Sequence, residues 1–107
     1  MTSPPPMSER RNDARIAGPF EGHWHGGSGA TEVRITDISL GGCFVETRMQ
    51  PVVGEETDVT VLFADGQSIT LQGRVAYADA GIGFGIAFRP LTADETTFLS
   101  RHLHFDS

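Results

Sequence analysis

The stretch VTVLFADGQSITLQGRVAY (residues 59–77) decides the fold. Val59, Val61 and Phe63 lead into Ala64-Asp65-Gly66, and Ile69, Leu71, Gly73, Val75 and Tyr77 resume the alternation on the far side. A two-residue period is the spacing of one face of a β-strand. Asp-Gly between two such runs marks a tight hairpin, because glycine takes a positive φ without steric cost. The unbroken alternation predicts one apolar face from Ile69 through Tyr77.

The same period extends outward from this hairpin. Phe84, Ile86 and Phe88 alternate with Gly83, Gly85 and Ala87, which predicts a strand whose small side is open to close packing by the final helix. Upstream, Val33 and Ile35 alternate with Glu32, Arg34 and Thr36, and Phe44 and Glu46 alternate with Cys43, Val45 and Thr47. Phe20, Gly22 and Trp24 predict a short first strand near 19–25, with the glycine-rich 26–29 segment as its turn. Thr92-Ala93-Asp94-Glu95 fits a capping box, the hydroxyl accepting from the third helical amide while the glutamate reaches back. Phe98, Leu99, His102 and Leu103 then form one stripe that lays the helix on the sheet. The expectation is five or six antiparallel strands and one C-terminal helix, with closure into a barrel to hide the edges.

A chain of 107 residues has room for one domain. The Met1–Glu9 leader has no apolar period and carries Pro4-Pro5-Pro6, so residues 1–9 read as a disordered, extended leader and residues 10–107 as the domain. A net charge of -6 argues against bulk binding of DNA or RNA, which requires a basic footprint. No apolar run is long enough to insert in a membrane, and the leader is neither a signal nor a transit peptide. Cys43 is the single cysteine, which excludes an internal disulfide and points to a reducing, cytoplasmic compartment. Between Gly42 and Phe44 it reads as a small buried hydrophobe.

Two islands carry chemistry. All eight cationic side chains are arginine, and three of them, Arg10, Arg11 and Arg15, fall within six positions. Arg11 and Arg15 are four apart, so they share a face in a helix and in a strand alike and can converge on one anion. Taken alone, the cluster also reads as a solvated basic tail. The second island is Asp37-Ile38-Ser39-Leu40-Gly41-Gly42. Ile38 breaks the parity of Val33 and Ile35, which predicts a bulge or strand end near 36–37 and leaves Asp37 and Ser39 facing outward at a sheet edge. Gly41-Gly42 permits a sharp turn and close backbone approach. A carboxylate accepts from the N1–H and N2–H₂ of guanine, and arginine donates to O6 and N7. Taken alone, this island also reads as a turn with a hydrogen-bonded Asp.

The order and spacing of the two islands resemble the PilZ domain family. Arg11 and Arg15 fit its R-x-x-x-R motif, and Asp37, Ser39 and Gly42 fit its [D/N]-x-S-x-x-G motif. The likeness continues through Gly54, the paired strands, Gly83 to Phe88 and the closing helix, everything but the leader. The resemblance implies a six-stranded antiparallel β-barrel with one C-terminal helix, and a bacterial receptor for cyclic di-GMP. It implies that Arg11 and Arg15 hold phosphate and guanine, that Asp37 and Ser39 read a guanine edge and a phosphate, and that Gly42 keeps the loop tight, with Gly41 beside it among the ligand-binding positions. It implies that Arg10 favours an intercalated ligand dimer, and that the leader orders over the ligand. The first strand departs from the family in reading Phe20-Glu21-Gly22-His23-Trp24-His25, which points to a short or irregular strand.

The expected function is a stand-alone cyclic di-GMP receptor that relays the second-messenger signal to a partner protein. The alternative is an adaptor of the same fold that works through protein contacts without the nucleotide. An enzyme is not expected, since no nucleophile–base pair, phosphate loop or metal cluster is present in the sequence. His23 and His25 lack a third ligand at suitable spacing, so no metal or cofactor is expected beyond the nucleotide ligand.

Overall fold

Six antiparallel strands precede one helix: β1 (Ile16–Gly26), β2 (Gly29–Ile38), β3 (Gly42–Glu46), β4 (Glu56–Leu62), β5 (Ser68–Asp79), β6 (Gly83–Phe88) and α1 (Ala93–Leu103). The computed structural model describes residues 15–26 and 29–103, so the 1–9 leader, Arg10, Arg11 and residues 27–28 of the 26–29 turn lie outside the described residues. The strands close in the order β1-β2-β3-β6-β5-β4, with β4 paired back to β1. The expected barrel and helix are the observed fold.

The β4–β5 hairpin forms where Asp-Gly predicts it. Gly66 sits at φ +88 and its amide donates to the Phe63 carbonyl, while the Phe63 amide donates to the Gln67 carbonyl. Alternation then fills the barrel from every strand: Trp24, Ile35, Ile38, Val45, Val59, Val61, Leu71, Val75, Phe84 and Ile86 are buried together. Trp24 crosses Phe84 edge-on with centroids 4.9 Å apart. Its indole N–H donates to Thr57 Oγ1 at 2.7 Å, and Thr57 in turn donates to the His25 carbonyl at 3.0 Å. A buried polar pair of this kind is tolerated because each donor has an acceptor.

The capping box is formed: the Glu95 amide donates to Thr92 Oγ1 at 3.1 Å, and the Thr92 amide donates to Glu95 Oε1 at 2.9 Å. From there α1 turns Leu99 and Leu103 into the core. Phe98 and His102 stack on each other, with the Phe63 ring tilted against both, beside the β4–β5 hairpin.

Four expectations are corrected. The first strand is neither short nor confined to 19–25; it runs Ile16–Gly26 and absorbs its irregularity in one bulge between Ala17 and Phe20. Closure means that the Asp37–Gly42 corner is not at a sheet edge. Gly83 and Gly85 are not covered by the helix; a Cβ at Gly83 would meet the Phe44 ring, and one at Gly85 the Tyr77 ring. Tyr77 does not share the inward face of Leu71 and Val75. A bulge between Val75 and Tyr77 places Val75 opposite Ile86 but Tyr77 opposite Gly85, on the outer wall. There Tyr77 is 52% exposed.

Candidate functional site

The predicted parity break is a β-bulge. In the β2–β3 pair Ile35 opposes Val45, the register shifts, and then Asp37 opposes Phe44 and Ile38 opposes Cys43. The extra residue lets Ile35 and Ile38 both point inward while Asp37 points out. Beyond it, the chain turns at Ser39-Leu40-Gly41-Gly42 into β3.

Ser39 lies inside that turn rather than outside it. Its side chain is fully buried, and Oγ accepts from the amides of Gly41 at 3.1 Å and Gly42 at 3.2 Å. The hydroxyl also approaches the Gly42 carbonyl at 3.3 Å, and the Ser39 amide donates to the same oxygen at 2.8 Å. The outward orientation expected for Ser39 is therefore wrong: the hydroxyl ties the turn to itself. Gly42 is held against β6, where a Cβ would collide with the Ile86 carbonyl. Its need is for close approach, since the positive-φ glycines of the described residues are Gly54, Gly66 and Gly81. Gly41 is exposed, and its carbonyl accepts from the Phe88 amide at 2.9 Å.

Arg15 meets this corner from β1. Pairing of Ile16 with Ile38 and of Ala17 with Asp37 brings the start of β1 alongside the turn. The Arg15 guanidinium then donates from Nη1 to Asp37 Oδ1 at 2.5 Å. Arg15 is 54% exposed and Asp37 33%, so solvent screens the pair and its contribution to stability is at most about 1 kcal/mol. Its chemical capacity is larger than its stabilising effect. A guanidinium has five N–H donors and a carboxylate about four acceptor positions, so one contact leaves most of both unused. Arg10 and Arg11 lie outside the described residues.

Two grooves among the described residues lie away from the corner. One of about 810 Å³ runs between β1 and α1, lined by Phe20, Phe63, Phe98, Arg101 and His102 among others. The other, about 710 Å³, carries Glu21, Glu32 and Glu46 with Arg34, an acidic lining ill-suited to a phosphate ligand. Arg34, Arg74 and Arg89 are drawn to Glu46 and Glu56 on the barrel wall, away from Asp37. Among the described residues, no group of three or more His, Cys, Asp or Glu side chains is placed to hold a metal.

The sequence profile of the PilZ domain matches residues 9–105. The chain belongs to the PilZ family. PilZ domains are receptor and adaptor domains rather than enzymes. The crystal structure of the PilZ domain of CeSA from a cellulose-synthesizing bacterium has the same fold, with a TM-score of 0.59 and 21% identity over 84% of this chain and 95% of that one. No curated protein matches the sequence. Among the described residues no helix of this PilZ domain is long and apolar enough to cross a membrane.

Sequence reasoning missed Phe44 and Tyr77 as neighbours of the corner. Phe44 is the ladder partner of Asp37, and Tyr77 is two strands further along the same outer row. The one available signal was the Gly83/Gly85 alternation, which marks a strip of barrel wall where large side chains from adjacent strands can lie down.

Proposed function

We propose that this PilZ domain binds cyclic di-GMP at the Arg15–Asp37 corner and relays its presence to a partner protein. The observation that carries the reading is the Arg15 guanidinium seated on the outward-turned Asp37, directly beside the Ser39–Gly42 turn. Asp37 accepts from a guanine N1–H and N2–H₂, and Arg15 donates to a phosphate or to guanine O6 and N7. Arg11 and Arg10 supply further forks for the second phosphate, and an arginine at position 10 allows two intercalated ligands. Ser39, Gly41 and Gly42 act through the shape of the turn that presents Asp37. The ligand is the only small molecule the function requires.

A surface for the partner is supported by where the exposed large hydrophobics fall. Met49, Val52, Val53, Tyr77 and Ile82 are the exposed ones among the described residues. The Thr47 amide bonds to the Ile82 carbonyl, and the Gly54 amide to the Val75 carbonyl, so the β3–β4 loop, which carries Met49, Val52 and Val53, lies against the β5–β6 end of the barrel that carries Ile82. Exposed apolar side chains gathered in this way mark protein contacts. An adaptor that ignores the nucleotide would use the same surface, and titration separates the two.

Calorimetric titration of the purified chain with cyclic di-GMP gives a Kd in the micromolar range or tighter and reports one or two ligands per chain. Arg11→Ala and Arg15→Ala each remove charge-assisted bonds of ~1.5–3 kcal/mol, a tenfold or greater loss. Ser39→Ala loses less, because its effect passes through the turn. Flat heats from a chain with the circular dichroism of a folded barrel would instead establish the nucleotide-independent adaptor.

A further inference from the structure

Of the three bulges in the barrel wall, those in β2 and β5 turn a side chain outward onto one strip. The β2 bulge aims Asp37 out and the β5 bulge aims Tyr77 out, each against the parity of its own strand. The ladders put them in a single row across four strands: Asp37 opposes Phe44, Phe44 opposes Gly85, and Gly85 opposes Tyr77. Bulges commonly re-aim a side chain beside a functional site.

The strip between the two is an aromatic floor. Gly83 and Gly85 carry no Cβ, so the Phe44 ring covers the first and the Tyr77 ring the second. The rings sit 6.1 Å apart with an interplanar angle of 31°. Aromatic cover of a strand glycine is a stabilising arrangement in its own right. It does not account for Tyr77 remaining 52% exposed at the far end of a row that begins with an ion pair.

We infer that the Phe44–Tyr77 floor is a stacking surface for a purine base of the ligand whose polar edge and phosphate are held at Arg15 and Asp37. This rests on the receptor reading above and adds residues that lie outside both sequence motifs. Three interstrand steps separate Asp37 from Tyr77, about 14 Å, so the row suits a ligand with more than one base. Stacking is tolerant of base identity because every base has a π-face. The floor therefore supplies affinity, while the choice of guanine stays with Asp37 and the arginines.

Cyclic di-GMP is titrated into the wild-type, Tyr77→Phe and Tyr77→Ala chains at one salt concentration, with ring protons of the wild type followed by NMR. Tyr77→Phe keeps the wild-type Kd, since the ring is retained. Tyr77→Ala binds about tenfold or more weakly. The preference for cyclic di-GMP over cyclic di-AMP is the same in wild type and Tyr77→Ala, and the wild-type Phe44 and Tyr77 ring signals move upfield with ligand. Unchanged affinity in Tyr77→Ala together with stationary wild-type ring signals overturns the floor and leaves the receptor reading standing. A folded wild-type chain that binds no cyclic di-GMP overturns both, and the aromatic strip is then a protein contact. The ring-proton measurement needs no variant, so it decides the matter even if Tyr77→Ala unfolds.

Discussion

Cys43 sits immediately behind the site, paired in register with Ile38 and buried in the core. Burial pushes its thiol from an ordinary 9.0 up to about 12; the negative charge of Asp37 adds to the rise and the Arg15 guanidinium opposes it. The unfolded chain releases this proton near pH 9.0 while the folded chain holds it to about 12. Its contribution to stability is thus intact below 9.0 and is lost as pH climbs through that window. A thiol held this way is a poor nucleophile. A disulfide reagent at about pH 8 should leave the folded chain unmodified and label one thiol once urea unfolds it; rapid labelling of the folded chain would contradict its placement. The inert role assigned to Cys43 from the sequence follows from the same geometry, a small apolar side chain paired in register with Ile38 and Ile86 inside the barrel.

At the level of elements, α1 is the most local part of the fold, and its start was legible for that reason. A capping box needs only residues three apart, so Thr92 and Glu95 announce it without tertiary help. Thr92→Ala should lower stability by about 1 kcal/mol in urea titration. The far end of α1 is tied by His102, which hydrogen-bonds Asp65 at 3.0 Å. Asp65 is held below its ordinary 3.8 first by the Gln67 amide and then by His102. The stability from a depressed carboxyl is present above its ordinary value and lost as pH falls through the lower folded one. Asp65→Asn should therefore flatten the acid limb of a stability–pH curve below about pH 4. Strand faces were legible only up to the first bulge. At Ile38 the apolar pattern itself shifts, so the β2 bulge could be read. At Tyr77 the residue is aromatic on either face, so the alternation ran on unbroken and hid the β5 bulge. Ser39 deceived in the opposite sense: a polar residue in a motif was expected outside, but the two amides it satisfies lie beneath the turn.

For the whole molecule, closure is the property from which the others descend. With β4 paired to β1 there is one continuous core, and Trp24 stands in it with Phe84 and Thr57. Unfolding should be cooperative: Trp24 fluorescence and far-ultraviolet circular dichroism should give coincident urea transitions. Divergent midpoints would mean that the β1 side opens separately. Trp24 is too deep to touch a ligand at Asp37, so its emission should change little on cyclic di-GMP binding, whereas the binding itself should weaken as salt screens the arginine contacts.

The hairpin, the helix and its cap, the two motif islands and a count of five or six strands were determined by the sequence alone. Each depends on a period or a spacing of a few residues that survives in one dimension. The partners were decided by tertiary structure: Arg15 on Asp37, Ser39 on its own turn, Phe44 and Tyr77 in one outer row with Asp37. Those meetings depend on ladder register across a closed barrel, and a single extra residue in β2 or β5 exchanges inside for outside. Side-chain type does not record that exchange when the residue is at home on both faces.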